Sequence, residues 1–283
     1  MDTTLPSLYI SHGSPMTALE PREAGAFMQA LGPAITARFG RPRAVLAVSA
    51  HTMARHHVLL AGARHEAVYD FGGFPDALYQ LRYDAPGAPS LAPRVAELMG
   101  AAGLTVQALD HGGLDHGIWT PLRYLFPDAD IPVLPLSFAP SDTPAQLMAL
   151  GTALAPLADE GVLIVGSGSL THNLRLLYGP GGRPAVDAAE TPETAAFRQW
   201  VLARSQARDW AALRDYRRQA PHAALMHPTD EHWLPFYVAA GAGGTAAVPQ
   251  RLHASLTYGV LAMDLYAFGP NAAALQIPEP VAA

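Results

Sequence analysis

The chain contains no cysteine, and all 18 of its basic residues other than histidine are arginines. Without a thiol there is no disulfide, cysteine nucleophile, iron–sulfur cluster or cysteine-rich zinc site. Without lysine there is no pyridoxal Schiff base, lysine general base or phosphate-loop lysine. Positive charge is also scarce. A formal net charge of −6 leaves no basic stripe to follow a phosphate backbone, which argues against nucleic acid as a partner. No run reaches the roughly 20 apolar residues of a membrane span. Residues 1–15 have neither the basic nor the continuous apolar segment of a secretory signal. The expected location is the cytoplasm, with no membrane association and no obligate protein partner.

What remains for difficult chemistry is imidazole, carboxylate, hydroxyl and bound metal. The 283 residues are half hydrophobic, enough for a sizeable core. The 25 glycines and 26 prolines punctuate apolar runs instead of forming a low-complexity tract. Short apolar runs at residues 8–10, 44–48, 58–60, 131–136 and 162–165 predict strands. Longer amphipathic patterns at 20–39, 90–102, 144–157 and 191–203 predict helices. The alternation implies an α/β fold: a single domain, residues 1–283, with a central mostly parallel or mixed sheet flanked by helices. The Gly-, Pro- and Asp-rich stretch 179–189 reads as an excursion within that domain, because too few strand candidates follow it to close a second sheet.

Twelve histidines stand out against this background. His12 follows the first predicted strand in Ser11-His12-Gly13-Ser14-Pro15. His51 follows the second in Ser49-Ala50-His51, and His172 follows the strand at 162–165. Ligands of open α/β sheets bind in the crevice beyond the carboxyl ends of the strands, so these three can converge there. His232 is expected in the first turn of a helix capped by Thr229. A lone histidine is more often an ordinary hydrogen-bonded residue than a ligand. That bland reading is kept for His56, His57, His65, His111, His222 and His253, while His227, close to His232, stays ambiguous. Gly166-Ser167-Gly168 resembles half a dinucleotide fingerprint, but Thr171 stands where the last glycine belongs, and Asp187 alone does not rescue it. The Asp70-Phe71-Gly72 triplet is kinase-like only by coincidence, since the kinase lysine is missing.

Six motifs in order carry a resemblance: Ser11 to Pro15, Ser49-Ala50-His51, Asp70 to Pro75, Leu114-Asp115-His116-Gly117-Ile118-Trp119, Gly168 to Leu174, and Pro228-Thr229-Asp230-Glu231-His232. Together they resemble the 4,5-DOPA dioxygenase family of class III extradiol ring-cleavage dioxygenases, related to the catalytic subunit of protocatechuate 4,5-dioxygenase. The resemblance implies a non-haem metal enzyme that inserts both atoms of O2 into a catechol-type substrate and opens its ring. It implies His12, His51 and His232 as metal ligands, His172 as the acid–base residue and His116 beside the substrate hydroxyls. Class III relatives often use a glutamate as third ligand; His232 departs from this, with Glu231 adjacent. The implied cofactor is Fe(II). Zn(II) can occupy such a site as purified, with His172 as a fourth ligand. Phe71, Phe74 and Trp119 are expected to wall the aromatic ring. Two other readings stay open: a zinc-dependent hydrolase, which also needs three imidazoles and an open position, and a non-catalytic metal-binding protein of the same fold.

Overall fold

The computed structural model describes residues 3–179, 181–275 and 277. Six strands form the central sheet: β1 (Ser7–Ser11), β2 (Ala44–Ser49), β3 (Val133–Pro135), β4 (Val162–Gly168), β5 (Gln250–His253) and β6 (Leu265–Phe268). Their order is β3-β2-β4-β1-β6-β5. The first four run parallel, and β6 turns antiparallel against both β1 and β5. The sheet is therefore mixed.

Every residue of β1, β2, β4 and β6 is buried, as expected of strands covered on both faces. Their side chains alternate between two cores. Val45, Ala47, Leu163 and Val165 join one that is completed by helices α1 (Arg22–Phe39) and α3 (His116–Leu125). Leu46, Val48, Ile164 and Tyr9 join the other. That second core is completed by α2 (Ala92–Ala101), α4 (Pro144–Leu154), α5 (Pro192–Ala207) and α6 (Pro235–Gly243). α4 starts at a capping box, with Thr143 accepting from the Gln146 backbone and Pro144 opening the helix.

The structure departs from the sequence expectations at 58–60 and at Thr229, and shows how the 179–189 excursion is held. The predicted strand at 58–60, observed as His57–Leu60, leaves the main sheet and pairs in parallel with Val106–Leu109. The segment 179–189, of which residue 180 lies outside the described residues, is a packed excursion: Val186 accepts from the Tyr258 backbone at 2.9 Å. Thr229 is not a helix cap. α6 begins at Pro235, and residues 230–234 form a turn in which the Asp230 carbonyl accepts from Trp233 at 2.9 Å and Leu234 at 3.0 Å. Proline at the first helical position fixes that start, because its missing N–H costs nothing there.

Candidate metal centre and active site

The carboxyl ends of β1, β2 and β4 open on one crevice. His12 is the residue after β1; its backbone N–H donates to Gly168 at 2.8 Å, tying it to the end of β4. Its Nδ1 lies 2.9 Å from Ser167 Oγ. The Ser167 hydroxyl hydrogen is already given to the Gly117 carbonyl, so Ser167 accepts and His12 Nδ1 carries the proton. The His12 Nε2 lone pair is thereby aimed away from Ser167. His51 stands two residues past β2, its backbone N–H donating to Ser49 Oγ at 3.2 Å. Ser49 in turn donates to Asp115 Oδ1 at 2.6 Å.

His232 comes from the turn before α6. Its carbonyl accepts from Ser169 N at 3.1 Å and Tyr9 Oη at 3.0 Å. The approach is so close that a Cβ on Gly168 would stand 1.9 Å from that oxygen, so only glycine fits. Its Nδ1 is 3.3 Å from Glu231 Oε1. His172, anchored by its N–H to Met226 O at 2.9 Å, stacks face to face on His232. His116 opens α3 beside the cap Asp115, and its Nδ1 lies 3.0 Å from both oxygens of Asp70.

All five histidines named by the resemblance therefore meet. Ring centroids of His12, His51 and His232 form a triangle with sides of 5.1, 4.9 and 5.5 Å. His116 lies 4.1 Å from His51 and 5.2 Å from His12 on the same measure. The ligand atoms of His12, His51 and His116 lie within 4.8 Å of one another, as do those of His172, Glu231 and His232. The two sets meet across the His51–His232 contact.

The closest approach tests whether a metal fits. His12 Nε2 and His51 Nε2 stand 3.3 Å apart. His12 is protonated on Nδ1, and a His51 that keeps its proton on Nδ1, 3.2 Å from the Asp70 carboxylate, turns an Nε2 lone pair toward that of His12. Two lone pairs facing across a buried gap repel unless a cation lies between them. Imidazole nitrogens bound at about 2.1 Å to one ion stand about 3.0–3.4 Å apart for angles from octahedral to tetrahedral. The donor set fits a divalent transition metal.

Burial keeps these rings neutral, the state in which they ligate. His12 and His232 are held well below the usual imidazole range by burial, with neighbouring imidazoles adding to it. His51 is lowered for the same reasons, burial first and His116 next. Burial brings His172 down to about 4 against the opposing pull of Glu231. Burial alone would raise Asp70, but the hydrogen bond and charge of His116 outweigh it and hold the carboxyl low.

The rings of His51, His116, His172 and His232 line a cavity of about 890 Å³ that also takes in Phe71, Phe74 and Arg183. Phe71 meets His116 edge-on at 5.5 Å and Phe74 at 5.4 Å. Trp119 does not line it. That ring is fully buried behind Phe71, its indole N–H donating to Val68 O at 3.1 Å, so it belongs to the core. His227 is also a core residue, bonded through Nε2 to Leu170 O at 2.8 Å, and His253 stacks on Phe27. Sequence reasoning missed three supporting residues. Asp115 lies inside the motif that holds His116, and Ser167 adjoins the motif that begins at Gly168. Asp70 opens one of the motifs that carry the resemblance, but nothing in the sequence separates a histidine partner from a loop aspartate there.

An open α/β sheet with neutral histidines gathered at its strand ends, leaving room for substrate, defines a metal-dependent enzyme of the non-haem type. Residues 6–268 match the family described as the catalytic LigB subunit of aromatic ring-opening dioxygenase. The 4,5-DOPA dioxygenase extradiol of Beta vulgaris is 36% identical over 269 residues, covering 94% of this chain and 97% of that protein. The protein of the same name from Escherichia coli (strain K12) is 36% identical over 242 residues, covering 85% and 86%. A crystal structure of an uncharacterized protein from Escherichia coli K12 superposes with a TM-score of 0.73 at 29% identity, over 94% of this chain and all of the other. The chain belongs to the LigB family of aromatic ring-opening dioxygenases and is an extradiol-type, metal-binding oxidoreductase that incorporates O2. Among the described residues no helix is long and apolar enough to cross a membrane.

Proposed function

We propose that the whole chain acts as one catalytic unit, an Fe(II) extradiol dioxygenase for catechol-type substrates, with His12, His51 and His232 as the protein ligands. The observation that carries this reading is the 3.3 Å approach of His12 Nε2 to His51 Nε2, with His232 closing the triangle. These three imidazoles would hold the ferrous ion, which when bound would supply the redox chemistry that joins a catechol to dioxygen. His232 is preferred to Glu231 because the Glu231 carboxylate is engaged by His232 Nδ1 and by the Thr229 hydroxyl at 2.9 Å. His116, held by Asp70, is left to accept a hydrogen bond from a substrate hydroxyl.

His172 is neutral at pH 7, so it can take a proton from the substrate and return it when the ring opens. Phe71 and Phe74 wall the aromatic ring and keep water from it. The named relatives make DOPA the first catechol to try. We place the enzyme in the cytoplasm, whose reducing conditions suit ferrous iron. The test is anaerobic loading with Fe(II), followed by oxygen uptake and absorbance of ring-opened semialdehyde across a catechol panel. Oxygen uptake with none of the panel counts against the reading; hydrolysis of an ester or amide by the zinc form instead supports the hydrolase alternative.

A further inference from the structure

Asp70 touches two of the site's imidazoles at once. Its Oδ1 accepts from the His116 backbone N–H at 3.0 Å, and both its oxygens lie 3.0 Å from His116 Nδ1. Oδ2 is also 3.2 Å from His51 Nδ1. A carboxylate can only accept, so a neutral imidazole that turns Nδ1 toward it is favoured with the proton on Nδ1 and the lone pair on Nε2. The other nearby carboxylates are committed elsewhere: Asp115 to Ser49, Thr52 and the Gly117 N–H, and Glu231 to His232 and Thr229.

We propose that Asp70 is the positioning residue that holds His51 and His116 together in their Nδ1–H tautomers, so that one Nε2 lone pair faces the metal and the other the substrate hydroxyl. The assignment of the two lone pairs rests on the function proposed above; the tautomers themselves do not. His51 and His116 meet at 4.1 Å between ring centroids, and without a common acceptor nothing forces both to present the same nitrogen. Carboxylates in this place orient a ligating ring and raise its basicity, and losing one typically lowers metal affinity about 10–100-fold. Asparagine is the informative replacement. The His116 backbone N–H and ring Nδ1 bond to Asp70 and His51 Nδ1 lies 3.2 Å from its Oδ2, but an amide offers one acceptor oxygen and an NH2 group that would oppose an imidazole N–H.

The experiment is long-range 1H–15N spectroscopy of the histidine rings in Zn(II)-loaded protein without substrate, with Zn(II) affinity measured alongside. Expected are Nδ1–H signatures for His51 and His116 in the wild type. In Asp70→Asn one ring should lose that signature and Zn(II) affinity should fall about 10–100-fold, with Asp70→Glu recovering part of both. A wild-type spectrum showing His116 protonated on Nε2 overturns the proposal, and does so even if the variants fail to fold. So does an Asp70→Asn protein with both signatures and its zinc affinity intact. Because no turnover is read, a chain that opened no catechol would leave this result standing.

Discussion

His172 lies flat against His232, their ring centroids 3.4 Å apart and their planes within 7° of parallel. One ring is a proposed ligand and its neighbour a proposed base, so contact alone does not tell their roles apart. The His232 backbone is clamped by Ser169 and Tyr9 and that of His172 by Met226, so the roles are told apart by what each ring does when removed. His172→Ala should keep its Fe(II) and its catechol affinity while turnover falls about 10²–10⁴-fold, the usual worth of a positioned proton-transfer group. His12→Ala or His51→Ala should lose the metal, since two remaining ligands hold a divalent ion poorly. Iron content measured beside turnover decides the matter. A His172→Ala protein as empty as His12→Ala would mean that His172 is a ligand.

Purified protein is expected to carry zinc. Zn(II) binds imidazole more tightly than Fe(II) does and does not oxidise. It also favours four ligands, and His172 stands beside His232 to serve as the fourth. Metal analysis should therefore find zinc, with ring-opening activity appearing only after anaerobic exchange for Fe(II). Activity in the zinc form would contradict the requirement for a redox metal.

The strand-end histidines are legible because a strand is a local apolar run and the residue after it has nowhere to go but the crevice. His12, His51 and His172 stand one, two and four residues past β1, β2 and β4, so their place in the crevice is legible while their roles come from the motif resemblance. His116 does not, because α3 is entered through an irregular segment and its first residue is aimed by Asp115 and Asp70, contacts no pattern encodes. The sheet's antiparallel edge is hidden for a similar reason. β5 and β6 are four residues each, and they gain meaning only once β6 pairs with β1 and β5 with β6. Trp119 misleads because an aromatic next to a motif looks the same in sequence whether it faces substrate or core.

Acid should destabilise the metal-free protein within a definite window. Burial holds His227 and His253 down to about 4 from an ordinary value of 6.5, as it does His172. The unfolded chain therefore takes up protons below pH 6.5 that the folded chain refuses until about pH 4. Stability should be flat above 6.5 and fall between 6.5 and 4, with fully buried His227 contributing up to about 3 kcal/mol of the loss and the less buried His172 and His253 smaller shares. Denaturant midpoints from pH 7.5 to 4.5 check this, and an unchanging midpoint would falsify it.

Gly168 is the narrowest point of the site, and replacing it with alanine tests whether His232 is placed by backbone contact. The added Cβ would stand 1.9 Å from the His232 carbonyl oxygen, against backbone that cannot swing aside as a side-chain tip can. Either the end of β4 or the turn carrying His232 must move. Overpacking of this kind costs about 1–3 kcal/mol. The more telling effect should be on the metal, because displacing His232 opens the triangle it forms with His12 and His51. Tyr9→Phe is the matched control: it removes one hydrogen bond to the same carbonyl without adding volume. That change should cost about 1 kcal/mol of stability and leave Zn(II) affinity close to wild type. Calorimetric unfolding and zinc titration of both variants separate the two effects. If Gly168→Ala folds and binds zinc as tightly as Tyr9→Phe, then His232 is not the third ligand, and His116, whose ligand atom lies within 4.8 Å of those of His12 and His51, takes its place.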